Sequence, residues 1–474
     1  MLKTPIALLA LMPLVLSAQT PSNETRSTLE DRTAVAVTIY NEDLALVRDQ
    51  RKVTLESGMQ SLAVRDVSAR IRPETALLTS LDGNLRLIEQ NFDYDLLSPQ
   101  SLLEKYVGRE IRAVTINPAN GNQTIETAEL LSVNSGVVLR FEDRIETGFP
   151  GRLIFDDVPD NLRDRPTLVL ELENDTTEAQ EFELSYLTRG LSWKADYVAS
   201  LNPEETQFDL NAWVTLNNDS GTRYDNALLQ LVAGDVQQVQ QVMPRLRSAV
   251  AMEMAAAPAA DMVEESLLDY HLYTLQRPTD LADQQSKQVA LLSATAVPVE
   301  KQYVVKGRGQ QFGGRSSGVL KQDVGVYLFL HNDEESNLGL PVPAGVVRVY
   351  KDDSAGRIQF VGEDRIDHTA KDEDLRLKLG NAFDVTAERV QTVFRKVASQ
   401  GQYNFSAEVG QKITLGNARD EAVIVTVQEQ LPGDWELMAE TAEHRQLSSG
   451  LLEWRINVPP GASAELEYVA LIRY

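Results

Sequence analysis

The chain has 474 residues, of which 45 are Lys or Arg, 70 are Asp or Glu and none is Cys, so its formal net charge is −25. A hydrophobic share of 43% is that of a folded globular protein, and the length accommodates about two to four domains of ordinary size. The acidic balance excludes a basic nucleic-acid footprint. The absence of Cys excludes thiol nucleophiles, thiolate metal sites, disulfides and a lipidated cysteine.

The first 18 residues have the pattern of a secretory signal peptide. Lys3 supplies a positive charge, residues 6–16 form an apolar stretch, and Ser17 and Ala18 are small residues suited to cleavage. The stretch is shorter than the about 20 apolar residues of a membrane-spanning helix, and an uncleaved anchor is the alternative. We therefore expect a periplasmic or secreted protein without a transmembrane span in the mature chain, beginning with a disordered leader over residues 19–33.

An N-terminal β region is predicted over residues 34–107. Ala34–Tyr40 and the segments that follow it alternate apolar and polar residues with the two-residue period of a strand. A short helix is predicted near residues 98–106, because Ser98 can cap it and Pro99 fits its first position. This helix marks a boundary in the chain.

A small β-barrel of SH3-like type is predicted over residues 108–160. Five short strands follow one another at close spacing there, and the first three are separated by the turn signals Asn120-Gly121 and Asn134-Ser135-Gly136. Closure into a barrel is how so small a sheet avoids exposed edges.

The remainder, residues 161–474, has the strand rhythm of an antiparallel immunoglobulin-like β-sandwich. It contains a predicted insertion over residues 235–320, in which the Gln-, Ala- and Met-rich stretch 236–260 and the Gly-rich stretch 307–318 indicate mobile loops. Between these loops, Tyr270–Leu275 and residues 289–305 are predicted strands that rejoin the sheet. The predicted fold class is therefore all-β and multi-domain.

Motifs for common catalytic chemistry are missing from the sequence. Ser192 lies in Gly-Leu-Ser-Trp, which lacks the second glycine of a nucleophile elbow, and the Gly307-Arg-Gly309 segment does not lead into a helix as a phosphate-binding loop would. The histidines are dispersed without metal-binding spacing; they are His271, His331, His368 and His444. The sequence therefore nominates no catalytic, cofactor-binding or metal-binding residue.

Two kinds of residue leave binding alternatives open. Three groups of carboxylates could hold Ca²⁺ or be solvated loops; they are Asp352-Asp353, Glu363-Asp364 with Asp367, and Asp372-Glu373-Asp374. The four tryptophans could pack in cores, which is the favoured interpretation, or stack on sugar rings in an exposed groove; they are Trp193, Trp213, Trp435 and Trp454.

Several stretches resemble a known family. They include Leu187–Val198, Asn211–Gly221, Tyr224–Gly234, Gly345–Tyr350 and Gly362–His368. In combination they resemble domain-of-unknown-function family 4139, which includes mucoidy-inhibitor-A-like proteins. The resemblance implies an exported β-rich protein of unassigned biochemistry, with no catalytic residues to transfer. Longer relatives carry a coiled coil between their β regions, and this chain has no sustained heptads.

The sequence favours a non-enzymatic binding or scaffolding module, because it offers sandwiches and loops without a catalytic constellation. Its expected partner is an envelope protein or a surface glycan, and its oligomeric state stays open. The alternative is a carboxylate-dependent hydrolase of envelope polymers, since Asp and Glu are the plentiful acid–base groups. Two carboxyl groups in a cleft, one of them with a raised pKa, would support that alternative.

Overall fold

A computed structural model of the protein describes residues 24–474 except residues 42, 94, 119, 160–161, 235, 238–261, 269, 308 and 399–402. Strands dominate these residues, and most neighbouring strands are antiparallel, which confirms the all-β fold class. Within the described part of the chain, no helix has the length and apolar character needed to cross a membrane.

The strands fall into an N-terminal, a middle and a C-terminal series. The first series flanks a short helix, α1, at Pro99–Lys105. Its strands are β1 (Glu24–Ser27), β2 (Arg32–Tyr40), β3 (Leu44–Thr54), β4 (Gly58–Arg65), β5 (Leu77–Ser80), β6 (Leu85–Asp93), β7 (Glu110–Ile116), β8 (Gln123–Ser132), β9 (Val138–Arg140), β10 (Ile145–Thr147) and β11 (Arg152–Ile154).

The middle series runs from residue 167 to residue 306. Its strands are β12 (Thr167–Asn174), β13 (Ala179–Thr188), β14 (Leu191–Leu201), β15 (Gln207–Asn218), β16 (Tyr224–Ala233), β17 (Met262–Leu267), β18 (Tyr270–Leu275), β19 (Thr279–Leu281), β20 (Gln285–Pro298) and β21 (Glu300–Lys306). The C-terminal series is β22 (Leu320–Gln322), β23 (Gly325–His331), β24 (Gly345–Asp352), β25 (Ile358–Ile366), β26 (Asp374–Asn381), β27 (Val385–Lys396), β28 (Ser406–Asn417), β29 (Val423–Gln430), β30 (Asp434–Glu440), β31 (Arg445–Gln446), β32 (Leu451–Val458) and β33 (Ser463–Arg473).

The main core is shared by strands that are far apart in the sequence, from β2 to β26. Val37 of β2, Leu170 of β12, Tyr197 of β14 and Val349 of β24 all belong to it. Most of this core comes from three sheets, in the orders β1-β4-β12-β6, β17-β18-β16-β2-β3-β13-β5 and β20-β15-β14-β24-β25, and strands β23 and β26 of a fourth sheet add leucines to it. Strands of residues 34–107 therefore pack together with strands of residues 161–474.

A five-stranded antiparallel unit and a C-terminal sandwich complete the fold. The unit has the strand order β10-β9-β8-β7-β11 and its own core around Leu130 and Phe141. Helix α1 precedes it, and the Ser98 hydroxyl caps this helix by accepting from Ser101 N at 3.0 Å, as the sequence predicts. The C-terminal sandwich packs the sheets β26-β23-β21-β29-β32-β31 and β22-β27-β28-β33-β30 around Trp454.

Residues 24–33 of the expected disordered leader are structured. Strand β1 runs parallel to β4, and the Ser27 side chain is fully buried, where its hydroxyl accepts from the Arg51 guanidinium at 3.3 Å. Thr28 then caps a short 3-10 turn at Leu29–Asp31. Hydrogen bonds and ion pairs hold this polar segment in place. Because it has no alternation of apolar and polar residues, its sequence gives no signal of order.

The Gly-rich stretch 307–318, for which the sequence predicts a mobile loop, contains a 3-10 turn at Gly309–Phe312. The Phe312 side chain is fully buried in the C-terminal core, so this part of the stretch is anchored by apolar packing. Tyr270–Leu275 is strand β18, as predicted. Most of the Gln-, Ala- and Met-rich stretch, residues 238–260, lies outside the described residues.

Candidate functional site

The sheet β20-β15-β14-β24-β25 packs one face on the main core and presents the other to solvent. In β14, Trp193, Ala195 and Tyr197 are buried, so the residues between them point away from the core. The Lys194 side chain on the central strand and Phe360 on the edge strand β25 are each 56% exposed, so within the described part of the chain no neighbouring element covers these two positions. We call it the outer face.

Asp196 organises the centre of the outer face. The Asp196 residue is 8% exposed, and its carboxylate accepts from the Thr215 hydroxyl at 3.0 Å and from the Arg348 guanidinium at 3.0 Å. Lys194 Nζ lies 3.6 Å from the same carboxylate, and Arg348 Nε lies 3.1 Å from Glu363. These four charged side chains form one fixed network, which we call the Asp196 network.

The Asp196 network is electrically neutral. It contains two cations, Lys194 and Arg348, and two anions, Asp196 and Glu363. The whole chain, by contrast, carries a formal net charge of −25. The centre of the outer face is therefore a balanced polar surface on a strongly acidic protein.

Aromatic rings lie beside this network. Trp213 of β15 is directly opposite Asp196 of β14, so both side chains are on the outer face. Trp213 is half-buried, and within the described part of the chain no group accepts a hydrogen bond from its indole N–H. Tyr350 and Phe360, opposite each other on β24 and β25, form an edge-to-face pair with centroids 5.6 Å apart.

The other tryptophans are not on this face. Trp193 and Trp454 are buried, as the core-packing interpretation predicts. Trp435 packs against the C-terminal core and donates its indole N–H to the Ser449 carbonyl at 2.7 Å. The structure thus brings one tryptophan, Trp213, to the outer face, rather than several.

The carboxylate groups considered for Ca²⁺ bind backbone and cationic partners instead. Asp353 accepts from the backbone N–H groups of Ala355 and Arg357, which helps to hold the pKa of its carboxyl below the usual range. Asp364 accepts from Lys378 N at 2.7 Å, and Asp374 pairs with His331 at 2.8 Å. Among the described residues, no three His, Asp or Glu side chains are grouped so that they could hold a metal ion.

The five-stranded unit has an open groove of about 790 Å³. Its lining is acidic, and its two arginines are already paired, Arg140 with Glu129 at 2.9 Å and Arg144 with Glu126 at 3.1 Å. The Arg144 guanidinium also stacks on the Phe141 ring, 4.2 Å from its centroid. These charged side chains are largely solvated, so the groove is a weaker candidate than the outer face.

Burial raises the pKa of the Glu429 carboxyl, against the opposing effect of Arg389. This carboxyl is fully buried in the C-terminal sandwich, and it is bound by Arg389 and covered by Gly307. A proton donor in hydrolysis has to face a cleft that admits substrate. Glu429 does not, so its raised pKa gives no support to the hydrolase alternative.

The fold and the outer face define an all-β protein of several sheets with an open polar and aromatic sheet surface. Over residues 182–474, more than half of the chain, the sequence matches a family described as a domain of unknown function (DUF4139), and the chain belongs to that family. This confirms the family resemblance found in the sequence. No curated protein matches the chain. The outer face lies entirely within the matched region.

Two of the stretches that carry the family resemblance hold a buried turn. Asn218 donates to the carbonyls of Thr222, Leu281 and Ala282 at 2.9–3.2 Å, and it accepts from the Ser220 hydroxyl at 2.7 Å. Gly190, in the other stretch, packs so closely on this turn that a Cβ atom would lie 2.8 Å from the Asp219 carbonyl oxygen. These residues are structural, and their burial keeps them from any ligand.

Other members of the same stretches form the outer face. Asp196, Trp213, Arg348 and Glu363 come from four such stretches, and the sheet places their strands side by side. Sequence reasoning did not group them, because the pairing of β14 with β24 joins residues 152 positions apart. The sequence could indicate only that each of them points outward from an alternating strand.

Proposed function

We propose that the protein is a non-enzymatic binding module of the cell envelope and that it binds its ligand on the outer face. The observation that supports this most is the Asp196 network beside Trp213. Asp196 is 8% exposed, its carboxylate accepts two hydrogen bonds and it lies 3.6 Å from the Lys194 ammonium group, so it is rigid. A rigid polar group next to a half-buried aromatic ring is the arrangement of a preformed recognition surface.

The absence of a cleft favours binding over chemistry at this place. The outer face is one side of an open sheet, and the described residues form no enclosure over it that would exclude water from a reacting group. The Asp196 carboxylate has both oxygens engaged, by Thr215 and by Arg348, so it is not placed as a free base. A surface of this kind holds a ligand without transforming it.

The proposal is tested with a variant whose added side chain obstructs the outer face for any kind of ligand. Ser200 is exposed on the outer face at the end of β14, and Ser200→Arg adds a long side chain there. Thr54→Arg is the matched control, because Thr54 is exposed at the end of β3 in another sheet. We expect the immobilised wild-type protein and the Thr54→Arg variant to retain a component of an envelope extract, and the Ser200→Arg variant to lose it. Equal retention by all three proteins would contradict the proposal.

We also propose that the chain is exported. The support is the charged, apolar and small-residue pattern of residues 1–18. The test compares cells that express the full chain with cells that express a chain lacking residues 2–18. We expect the full chain in the envelope or medium fraction and the shortened chain in the cytoplasm. Finding the full chain in the cytoplasm would contradict export.

A further inference from the structure

We infer that the ligand of the outer face is an uncharged polysaccharide, one sugar ring of which stacks on Trp213. This inference rests on the proposed function of the face. It names the class of ligand, which four properties of the surface support.

The first property is the pairing of a ring with fixed polar groups. A sugar ring has apolar C–H faces and a rim of hydroxyl groups, so it needs an aromatic plane flanked by donors and acceptors. Trp213 supplies the plane, with an indole N–H that no described group binds. Asn211, two residues earlier on the same face, is held by the Ser293 hydroxyl at 2.9 Å. Polar groups that can bind the hydroxyl groups of a sugar are thus positioned beside the ring.

The second property is charge. A polyanion would need a cluster of unpaired cations, and the two cations of the Asp196 network already bind Asp196 and Glu363. Arg365, opposite Val346 on the same face, is a single exposed cation. The net charge of −25 would in addition repel a polyanion at long range. A cationic ligand would need a free carboxylate, and the central one is saturated. The balance of the network therefore matches an uncharged ligand.

The third property distinguishes a glycan from a protein. Protein interfaces are depleted of charged residues at their centre, where desolvation is complete. The centre of the outer face instead holds the four charged side chains of the Asp196 network, with Lys194 56% exposed. A hydrated glycan can bind over such a centre without stripping it of water.

The fourth property is the length of the ligand. Trp213 lies on β15 and the Tyr350–Phe360 pair spans β24 and β25, so two to three strand spacings separate them. Tyr350 is also four residues further along the strands, because Trp213 lies opposite Asp196 and Asp196 lies opposite Val346. At about 4.8 Å per spacing and about 3.3 Å per residue, the separation is roughly 16–20 Å. A single sugar ring does not reach from one aromatic group to the other, whereas an extended chain that crosses the strands does.

The experiment uses the full protein and an envelope extract divided into three portions. One is digested with proteinase K, one is oxidised with periodate, which cleaves the vicinal diols of sugar rings, and one is passed over an anion exchanger, which removes polyanions. Each portion is applied to immobilised wild type, Trp213→Ala, Trp213→Phe and Phe383→Ala. Phe383 is 93% exposed between β26 and β27, so its variant is the matched aromatic control. Melting temperatures establish that each variant is folded.

We expect retention to survive proteinase K and anion exchange and to be lost after periodate. We expect Trp213→Ala to weaken binding about tenfold or more, Trp213→Phe to recover part of it, and Phe383→Ala to bind like wild type. If the retained component is destroyed by proteinase K but not by periodate, or if it binds to the exchanger, the glycan inference is overturned and the proposed binding face still stands. Retention that is equal in Trp213→Ala and wild type, and also unaffected by Ser200→Arg, overturns both proposals.

Discussion

Gly307 packs directly on the carboxylate of Glu429, so closely that a Cβ atom at position 307 would overlap Oε2. The same oxygen is buried and has no hydrogen-bond donor among the described residues, while Oε1 binds Arg389. The Gly307 N–H donates to the Gln428 carbonyl at 2.7 Å, which fixes the glycine over the buried acid. The end of β21 and the end of β29 are thereby tied together around an ion pair.

Gly307→Ala should lower the free energy of unfolding by about 1–3 kcal/mol, because the added methyl group displaces a buried, paired carboxylate. Gly314→Ala is the control from the same loop, since a Cβ atom there would meet no atom within 4 Å. Urea denaturation of the three proteins measures the difference. A Gly307→Ala protein as stable as Gly314→Ala would show that the contact is not tight.

Phe312→Ala should cost about 3–5 kcal/mol, because the ring is fully buried in the C-terminal core and its removal leaves a cavity. Phe383→Ala removes the same side chain from a position that is 93% exposed and should leave stability nearly unchanged. The comparison is made by thermal melting followed by circular dichroism. Similar melting temperatures for the two variants would contradict the anchoring of residues 309–312.

Asn218→Ala should destabilise the protein by about 2 kcal/mol, since it leaves the buried carbonyl groups of Thr222 and Leu281, and the partly buried one of Ala282, without their donor. Asn217→Ala is the matched control, because Asn217 is the preceding residue on the same strand and is only half-buried. Denaturant midpoints distinguish the two. An equal effect of both variants would mean that the turn does not depend on the Asn218 amide.

Asp49→Asn should cost about 3–5 kcal/mol, because it leaves buried arginines without a counter-charge. The Asp49 carboxylate is fully buried and binds Arg51 and Arg32, each at 2.8 Å. Glu334→Gln is the control, in which the broken ion pair with Lys371 is exposed and little change is expected. Equal midpoints in guanidinium chloride for Asp49→Asn and the wild type would exclude a structural role of the pair.

The same carboxylate predicts a pH dependence. Burial alone would raise the pKa of Asp49, but Arg51 and Arg32 outweigh it and hold the pKa below its usual range. A depressed pKa contributes stability above the ordinary value of about 3.9, and this contribution is lost as the pH falls through the folded-state pKa. The gap in melting temperature between wild type and Asp49→Asn should therefore be widest near neutral pH and narrow below about pH 4. A constant gap would contradict the shift.

Local patterns predicted the strands better than their partners. Alternation of apolar and polar residues identified β2, β14 and β18, and Ser98 with Pro99 identified helix α1. Strand β1 was missed, because Glu24-Thr-Arg-Ser is polar and is held by the Arg163–Glu24 and Arg51–Ser27 contacts. Those contacts join residues 139 and 24 positions apart, and no local pattern encodes them.

The outer face shows the same limit. In β15 the buried residues Phe208, Leu210, Ala212 and Val214 place Trp213 on the opposite side, so its outward position follows from parity alone. The partners of Asp196 do not follow from parity. Arg348 reaches it through the parallel pairing of β14 with β24, a crossover connection that only the three-dimensional structure shows.

The pairing of β2 with β16 also bears on how the chain acquires its structure during synthesis. Thr38 of β2 meets Gln230 of β16, 192 residues later. At about 5–20 residues per second, a ribosome needs roughly 10–40 s to deliver the second strand after the first. During that interval β2 has an unpaired edge, and such non-local pairing slows folding further. The nascent chain is thus exposed to chaperones and other holding factors for many seconds before its largest core can close.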